Sequence, residues 1–335
     1  MRDVYFDENY GKLYEKIENG KAEIFKLETE NGTIINQFIK REIPLMVDGV
    51  RYYDTITPYG YGGPYIEECV NKKELLKEYK VQFGEYVKRN NIVAEFVRFH
   101  PIYKNYKDFK DICNAEFNRY TLATNIKDYD NPVRDEFSKG MKKNIRRFLN
   151  KGVSPKVVDN PTDKDMAEFV RLYYLNMKRL KAEEYYFFEK EHFDEIQRVF
   201  KGKYILAQAA LDEKVIATNL CFVTDGNVHE YLAGADPDYV CLSPSCVLQY
   251  GVALWAKEKG INYVHYGGGL SASENDSLYI YKSKFAKNTK FEFWVGKKVW
   301  NNNIYNKLCQ KTGVSENESF FPAYRKNMQE LKIPN

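Results

Sequence analysis

Residues 203–269, KYILAQAALDEKVIATNLCFVTDGNVHEYLAGADPDYVCLSPSCVLQYGVALWAKEKGINYVHYGGG, decide the fold class of this 335-residue chain. Three apolar, β-branched runs, Lys203–Leu211, Lys214–Val223 and Asn227–Ala235, have Asp212-Glu213 and Asp225-Gly226 as the turn residues between them. Breaks of two residues between strand-like runs close tight hairpins, so the spacing predicts an antiparallel three-stranded meander. Ser243 is suited to cap a helix and Pro244 to open its first turn, and the helix they start closes at Gly260. Ile261–Tyr266 then returns as a strand and runs into Gly267-Gly268-Gly269. A meander followed by a helix and a further strand gives an α/β (α+β) fold with mixed, largely antiparallel sheets.

Working outward, Asp163–Lys181 and Glu189–Phe200 are helical stretches ahead of the meander. Before them, Met141, Ile145, Phe148 and Leu149 form an apolar stripe at helical spacing. Lys142, Lys143, Arg146 and Arg147 cover the other side, with Lys139 and Lys151 at the ends, as on a solvated helix face. Gly152 ends this helix and Val153–Val158 resumes as a strand. The opening third has the same plan on a smaller scale. Ala22–Leu27, Thr33–Ile39 and Arg41–Leu45 are strand-like between Asn31-Gly32 and Asp48-Gly49. Leu75, Leu76, Tyr79, Phe83, Tyr86 and Val87 mark an amphipathic helix over Asn71–Lys88, and Val93–Phe99 follows as a strand stopped by Pro101. The polar, turn-rich stretch Asp128–Pro132 lies between the two halves, which places the expected domains at 1–130 and 131–335.

The composition narrows the function classes. With 44% apolar and 29% charged residues the chain is neither disordered nor low in complexity. Its net charge of +4 does not call for DNA as a partner, and 28 tyrosines suit wet clefts as well as cores. The first thirty residues hold no apolar h-region, and no run approaches the ~20 apolar residues of a membrane span. The expected location is the cytoplasm, where the six cysteines, with no C-x-x-C pair, stay reduced and hold no zinc. The four histidines are dispersed, so no metal site is expected. Gly60-Tyr61-Gly62-Gly63 lacks the third glycine of a dinucleotide fingerprint, no P-loop is present, and Gly269-Leu-Ser271-Ala-Ser273 is not a hydrolase elbow.

Several longer constellations remain. They are Asp54 with Thr57-Pro-Tyr59-Gly-Tyr61-Gly-Gly-Pro64, then Arg98-Phe-His100-Pro101, and Lys143-Asn-Ile-Arg146 with Lys151-Gly-Val153. Met177-Lys-Arg179 with Tyr185-Tyr186-Phe-Phe188, and Tyr281-Lys282 with Phe285 after the glycine triplet, complete the set. In this order they resemble the Fem-type peptidoglycan aminoacyltransferases within the GNAT-fold acyltransferases, over about residues 50–290. The resemblance implies two tandem GNAT-like domains with a cleft between them. It also implies transfer of an acyl or aminoacyl group to an amine of a cell-wall or surface-polysaccharide precursor, small or lipid-linked.

By the same resemblance Lys282 is the active-site lysine of a Phe-Lys pair in which Tyr281 replaces the phenylalanine. Arg179 lies near an arginine that grips acceptor phosphate, although Asn176 stands where many relatives have threonine. Tyr59, Tyr61, Arg98, His100, Tyr185 and Tyr281 are the candidate substrate contacts, and Asp54 or Glu230 the proton acceptor for the attacking amine. Ser243 and Ser245 open a helix after a strand, where GNAT proteins hold donor phosphates on backbone N–H groups. The usual Gly-rich loop is missing there. Acyl-coenzyme A is the preferred donor and aminoacyl-tRNA the other, with peripheral association at the inner membrane face left open. The rival is a non-catalytic GNAT-fold protein that binds a phosphorylated sugar or nucleotide sugar.

Overall fold

The fold is taken from a computed structural model, which describes residues 3–328. These residues form two compact units. The N-terminal unit comprises Tyr5–Asn118 together with the chain from Glu292 onward, and the C-terminal unit comprises Arg119–Phe291 with Asp3 and Val4. The expected division at 130/131 is a single linear one, whereas the contacts divide the chain at 118/119 and again at 291/292.

The N-terminal unit contains α1 (Glu8–Leu13), β1 (Gly20–Thr29), β2 (Gly32–Glu42), β3 (Tyr53–Ile56), β4 (Tyr65–Cys69), α2 (Lys72–Arg89), β5 (Ile92–Arg98) and α3 (Tyr106–Cys113). β6 (Ala115–Asn125) carries the chain into the C-terminal unit. There follow α4 (Pro132–Glu136), α5 (Lys139–Leu149), β7 (Ser154–Val158), α6 (Asp163–Leu180), α7 (Lys190–Val199), β8 (Tyr204–Leu211), β9 (Lys214–Thr224), β10 (Asn227–Ala235), α8 (Pro244–Glu258), β11 (Tyr263–Gly267) and α9 (Ser277–Ser283). β12 (Lys290–Val299) returns the chain to the N-terminal unit, where α10 (Asn302–Thr312) follows.

In the N-terminal unit β1, β2 and β3 are antiparallel, β3 is parallel to β5, and β12 lies antiparallel to β5 through Val295↔Arg98 to Val299↔Ala94. α2 covers this sheet with Leu75, Tyr79, Phe83 and Val87, packed with Phe38, Val97 and Phe109. Asn71 fixes the start of α2 by accepting from the Glu74 N–H. Arg41–Leu45 is not a strand of its own. β2 runs on to Glu42 because Arg41 faces Asp54 across the pairing with β3, and Pro44, which has no N–H to donate, follows its end.

In the C-terminal unit the strand order is β6-β11-β10-β9-β8-β7, antiparallel except for the β10–β11 pair. The two hairpins expected from the acidic breaks are present. Asp212, Glu213, Asp225 and Gly226 all have φ between 48° and 71°, the left-handed conformation that a two-residue turn matched to strand twist demands. α6 starts on a capping box between Thr162 and Asp165, and the buried face of α8 packs with Ile205, Ala207, Val228 and Val264.

The parallel pair β10–β11 has a short ladder. It runs from Asn227↔Tyr263 to His229↔His265 and stops. At that point β10 shifts register against β9 between Glu230 and Leu232, and β11 against β6 between His265 and Gly267. Such bulges re-aim side chains and backbone where a ladder ends. In the N-terminal unit the corresponding pair stays closed: the ladder through Ile56↔Phe96 is extended by the Thr57 N–H to the Phe96 carbonyl and by a bridge between Gly62 and Phe99.

Candidate active site

Lys282 sits on α9, a short helix fixed by Asp276. One carboxylate oxygen of Asp276 accepts from the N–H groups of Leu278 and Tyr279 at 3.0 Å, and the other from the Ser271 N–H at 3.1 Å. These N–H donors, the Tyr279 N–H foremost, hold the Asp276 carboxyl down at about 2. Gly269 allows the close approach, since a Cβ there would lie 2.5 Å from Asp276 Oδ1. The resulting loop presents the Gly268 carbonyl to Lys282, whose Nζ donates to it at 2.8 Å.

Burial pushes the Lys282 ammonium down to about 8, against the opposing pull of Glu230 and then Asp276. Glu230 stands at the point where β10 leaves β11. Burial raises its carboxyl above the usual range, and Gln249, Lys282 and Asn219 act the other way. Its Oε1 accepts from Asn219 Nδ2 at 3.0 Å and from Gln249 Nε2. Because Gln249 turns its amide NH2 toward the carboxylate, its Oε1 is left buried with no hydrogen-bond partner among the described residues. Tyr281 is raised by burial, with Cys246 and Glu230 adding to the rise and Ser245, in the first turn of α8, acting the other way. The C-terminal unit thus brings Lys282, Glu230, Tyr281 and Ser245 into one neighbourhood.

Ser243 differs from its expected role. It precedes α8 at φ 41°, and its side chain makes no capping bond; Pro244 provides the pre-set first turn instead. Arg179 donates to Asn176 Oδ1 at 2.8 Å, and Asn176 donates to the Ala233 carbonyl on β10 at 3.1 Å. Tyr185 is partly exposed and packs edge-on to Tyr186.

The other expected site residues belong to the N-terminal unit. Asp54 is completely buried, with Oδ1 accepting from Arg41 Nε at 2.9 Å and Oδ2 from the Tyr324 hydroxyl at 3.0 Å and from Arg325 Nε at 2.5 Å. Although burial opposes it, the charges of Arg41 and Arg325 hold this carboxyl below its ordinary value. A carboxylate so engaged anchors an ion cluster and has no free oxygen for an amine proton, which corrects its reading as a base.

Arg98 donates to the Thr57 carbonyl at 2.7 Å and covers the Phe96 ring at 4.9 Å. Tyr61 meets the rings of Tyr5, His100 and Phe293 edge-on. Tyr59 accepts at its carbonyl from the Tyr10 hydroxyl at 2.8 Å, and His100 is buried with Nδ1 accepting from the Tyr103 N–H at 3.2 Å. Gly60, at φ 93°, admits the Tyr5 ring, which a Cβ would meet at 2.4 Å. Tyr59, Tyr61 and His100 therefore form a packed aromatic turn.

Asn219 and Gln249 were not anticipated from the sequence. The available signal was a polar side chain within an apolar run, Ile216-Ala-Thr-Asn-Leu-Cys-Phe222 for the first and Cys246-Val-Leu-Gln-Tyr250 for the second. Also unanticipated is a buried chain in which Asp3 Oδ2 lies 2.6 Å from His229 Nε2, His229 Nδ1 3.4 Å from His265 Nδ1, and His265 Nε2 2.9 Å from Thr121 Oγ1. The cysteines carry no disulfide among the described residues; Cys69 and Cys241 are exposed and the other four buried. No helix among the described residues is long and apolar enough to cross a membrane.

Residues 139–283 match the family described as Acetyltransferase (GNAT) domain, a span that contains Arg179, Glu230, Ser245, Gln249 and Lys282. No curated protein matches the sequence. Among solved structures, FemX superposes with a TM-score of 0.70 at 12% identity, covering 91% of this chain and 94% of FemX. The C-terminal domain (DUF2156) of an Agrobacterium fabrum protein assigned as a lysylphosphatidylglycerol synthetase gives 0.58 at 12% identity, covering 90% of each chain. L-PGS from Bacillus licheniformis gives 0.52 at 13% identity, covering 90% of this chain and 94% of its own. At these identities the likeness is one of fold. The chain accordingly carries a GNAT domain over residues 139–283, has the tandem GNAT fold seen in FemX over nine-tenths of its length, and resembles the Fem-like GNAT acyltransferases.

Proposed function

We propose that the C-terminal unit transfers an acyl or aminoacyl group to an amine of a cell-wall or surface-polysaccharide precursor. The observation that carries this is the Lys282–Glu230 pair at the parting of β10 and β11, where a buried ammonium is lowered and a buried carboxyl is raised. Neighbouring buried groups of opposite charge, both moved toward neutrality, are characteristic of acid–base sites. An amine must be neutral to attack a carbonyl. Glu230 is the group to take its proton, and the orphaned Oε1 of Gln249 is an acceptor for a second N–H, which would aim the lone pair. As the carbon–nitrogen bond forms, negative charge grows on the acyl oxygen, and the Lys282 ammonium is the cation that stabilises it. Collapse of the tetrahedral adduct expels the donor's thiolate or ribose alkoxide, which takes up the proton.

The N-terminal end of α8, beside Ser245 and Tyr281, is where donor phosphates would lie. Acyl-coenzyme A is the favoured donor because a tRNA partner calls for a larger basic surface than a net charge of +4 implies. Calorimetric titration with acetyl-coenzyme A and with aminoacylated tRNA tests the choice. The expected result is coenzyme binding. Tight, salt-dependent tRNA binding with no response to the coenzyme would reverse it, and no response to either would leave the enzyme reading without support.

A further inference from the structure

A cavity of about 390 Å³ opens on the C-terminal unit among α4, α5 and α8, lined by none of Lys282, Glu230 or Gln249. Its floor is aliphatic, made by Val133 of α4, Ile145 and Leu149 of α5, and Leu254 of α8. Leu254 is 48% exposed, so part of that apolar floor is open to solvent. The rim carries Arg134, Lys142 and Arg146.

The three cations are differently committed. Arg134 gives Nε and Nη2 to its neighbour Asp135, at 2.8 Å each. Lys142 donates to the Arg134 carbonyl at 2.7 Å, and its charge is shared with Arg134 in holding the Asp135 carboxyl down. The Arg146 guanidinium makes no hydrogen bond or ion pair among the described residues. Lys139, Lys143 and Arg147 extend the same field along α5, which contains no acidic residue.

A helix with a dense cationic face beside an open aliphatic trough has the two-part chemistry of an interfacial lipid site: phosphate oxygens for the guanidinium groups, methylenes for the trough. Single-stranded nucleic acid is the weaker match, because it is held on aromatic faces and this floor offers one half-buried ring, Tyr250. We propose that this groove seats the protein on membranes containing anionic phospholipid, with acyl-chain carbons on Val133, Ile145, Leu149 and Leu254 and headgroup phosphate between Lys142 and Arg146. This is independent of the acyl-transfer reading.

The test is co-sedimentation of the full chain with vesicles of phosphatidylcholine alone and of phosphatidylcholine with phosphatidylglycerol, at low and high salt. Binding is expected only to the mixed vesicles and should weaken with salt, as screening requires. Arg146→Gln should reduce partitioning about fivefold, the worth of one basic residue near an anionic surface. Leu254→Asn should remove the binding that persists at high salt. Both positions are exposed, and unchanged thermal melts confirm that each variant is folded. Failure of the wild type to distinguish the two vesicles, or variants that bind as the wild type does, would overturn the proposal. So would Arg146-dependent binding of tRNA that displaces the protein from vesicles.

Discussion

Lys282 is positioned to act as a cation that has shed water yet keeps its proton at neutral pH, since burial brings it down only to about 8. If its charge faces the developing oxyanion, Lys282→Met should lower turnover on the order of 10²-fold in a variant that circular dichroism shows to be folded. Lys284→Met, on an exposed lysine two residues away, should be silent in both assays. Equal effects of the two substitutions would remove Lys282 from the site. The pH profile gives a separate check. The required cation is present below its pKa, so kcat/KM for a weakly basic acceptor amine should fall as pH rises through about 8. Glu230 must be ionised to accept a proton, so its raised carboxyl sets the loss on the acid side. Lys282→Arg should push the alkaline limb upward, and a limb that stays in place would assign it to another group. Asp54 shows how differently a carboxylate behaves when arginines enclose it: it stays charged and structural.

At the scale of elements, β5 carries a comparable but sealed group. Glu95 accepts from Trp300 Nε1 at 3.1 Å and from Asn36 Nδ2 at 3.3 Å, yet burial still raises its carboxyl to about 7. A folded-state pKa above the ordinary 4.5 means that the stability Glu95 adds is complete below 4.5 and is lost as pH rises through about 7. The loss is roughly 3 kcal/mol on the linkage scale. Thermal midpoints of the wild type and Glu95→Gln should therefore diverge in slope between these limits, with the variant the flatter; parallel curves would show that Glu95 does not titrate there. The strongly patterned elements were legible in the sequence. The meander β8–β10 declared itself through its two-residue acidic turns, and α2 and α5 through apolar stripes at helical spacing. β3 was not legible, because four residues are too few to show a period. β6 was obscured by Asn118-Arg119 in its middle, and β4 by an exposed edge that gives no alternation. In the site, Tyr281-Lys282 followed from family resemblance, while Asn219 and Gln249 lay hidden inside apolar runs whose partner, Glu230, only the fold supplies.

For the whole molecule, the informative feature is that the N-terminal unit is discontinuous in sequence. β12 completes its sheet beside β5, and Tyr324 and Arg325 close the ion cluster on Asp54. A fragment of residues 1–130 lacks both, exposing the edge of β5 and leaving Asp54 with Arg41 alone. It should be poorly folded by circular dichroism and recover on addition of a peptide spanning residues 290–328, whereas a well-folded isolated fragment would show that the linear division suffices. On the ribosome the same wiring inverts the order of assembly. The unit whose residues emerge first cannot be finished until the stretch from Glu292 to Arg325 has left the exit tunnel, while the C-terminal unit has its full complement once Phe291 is out. The half that begins the protein must therefore wait, open-edged, for the half that follows it, and protease protection on stalled chains should appear in the later-made half first.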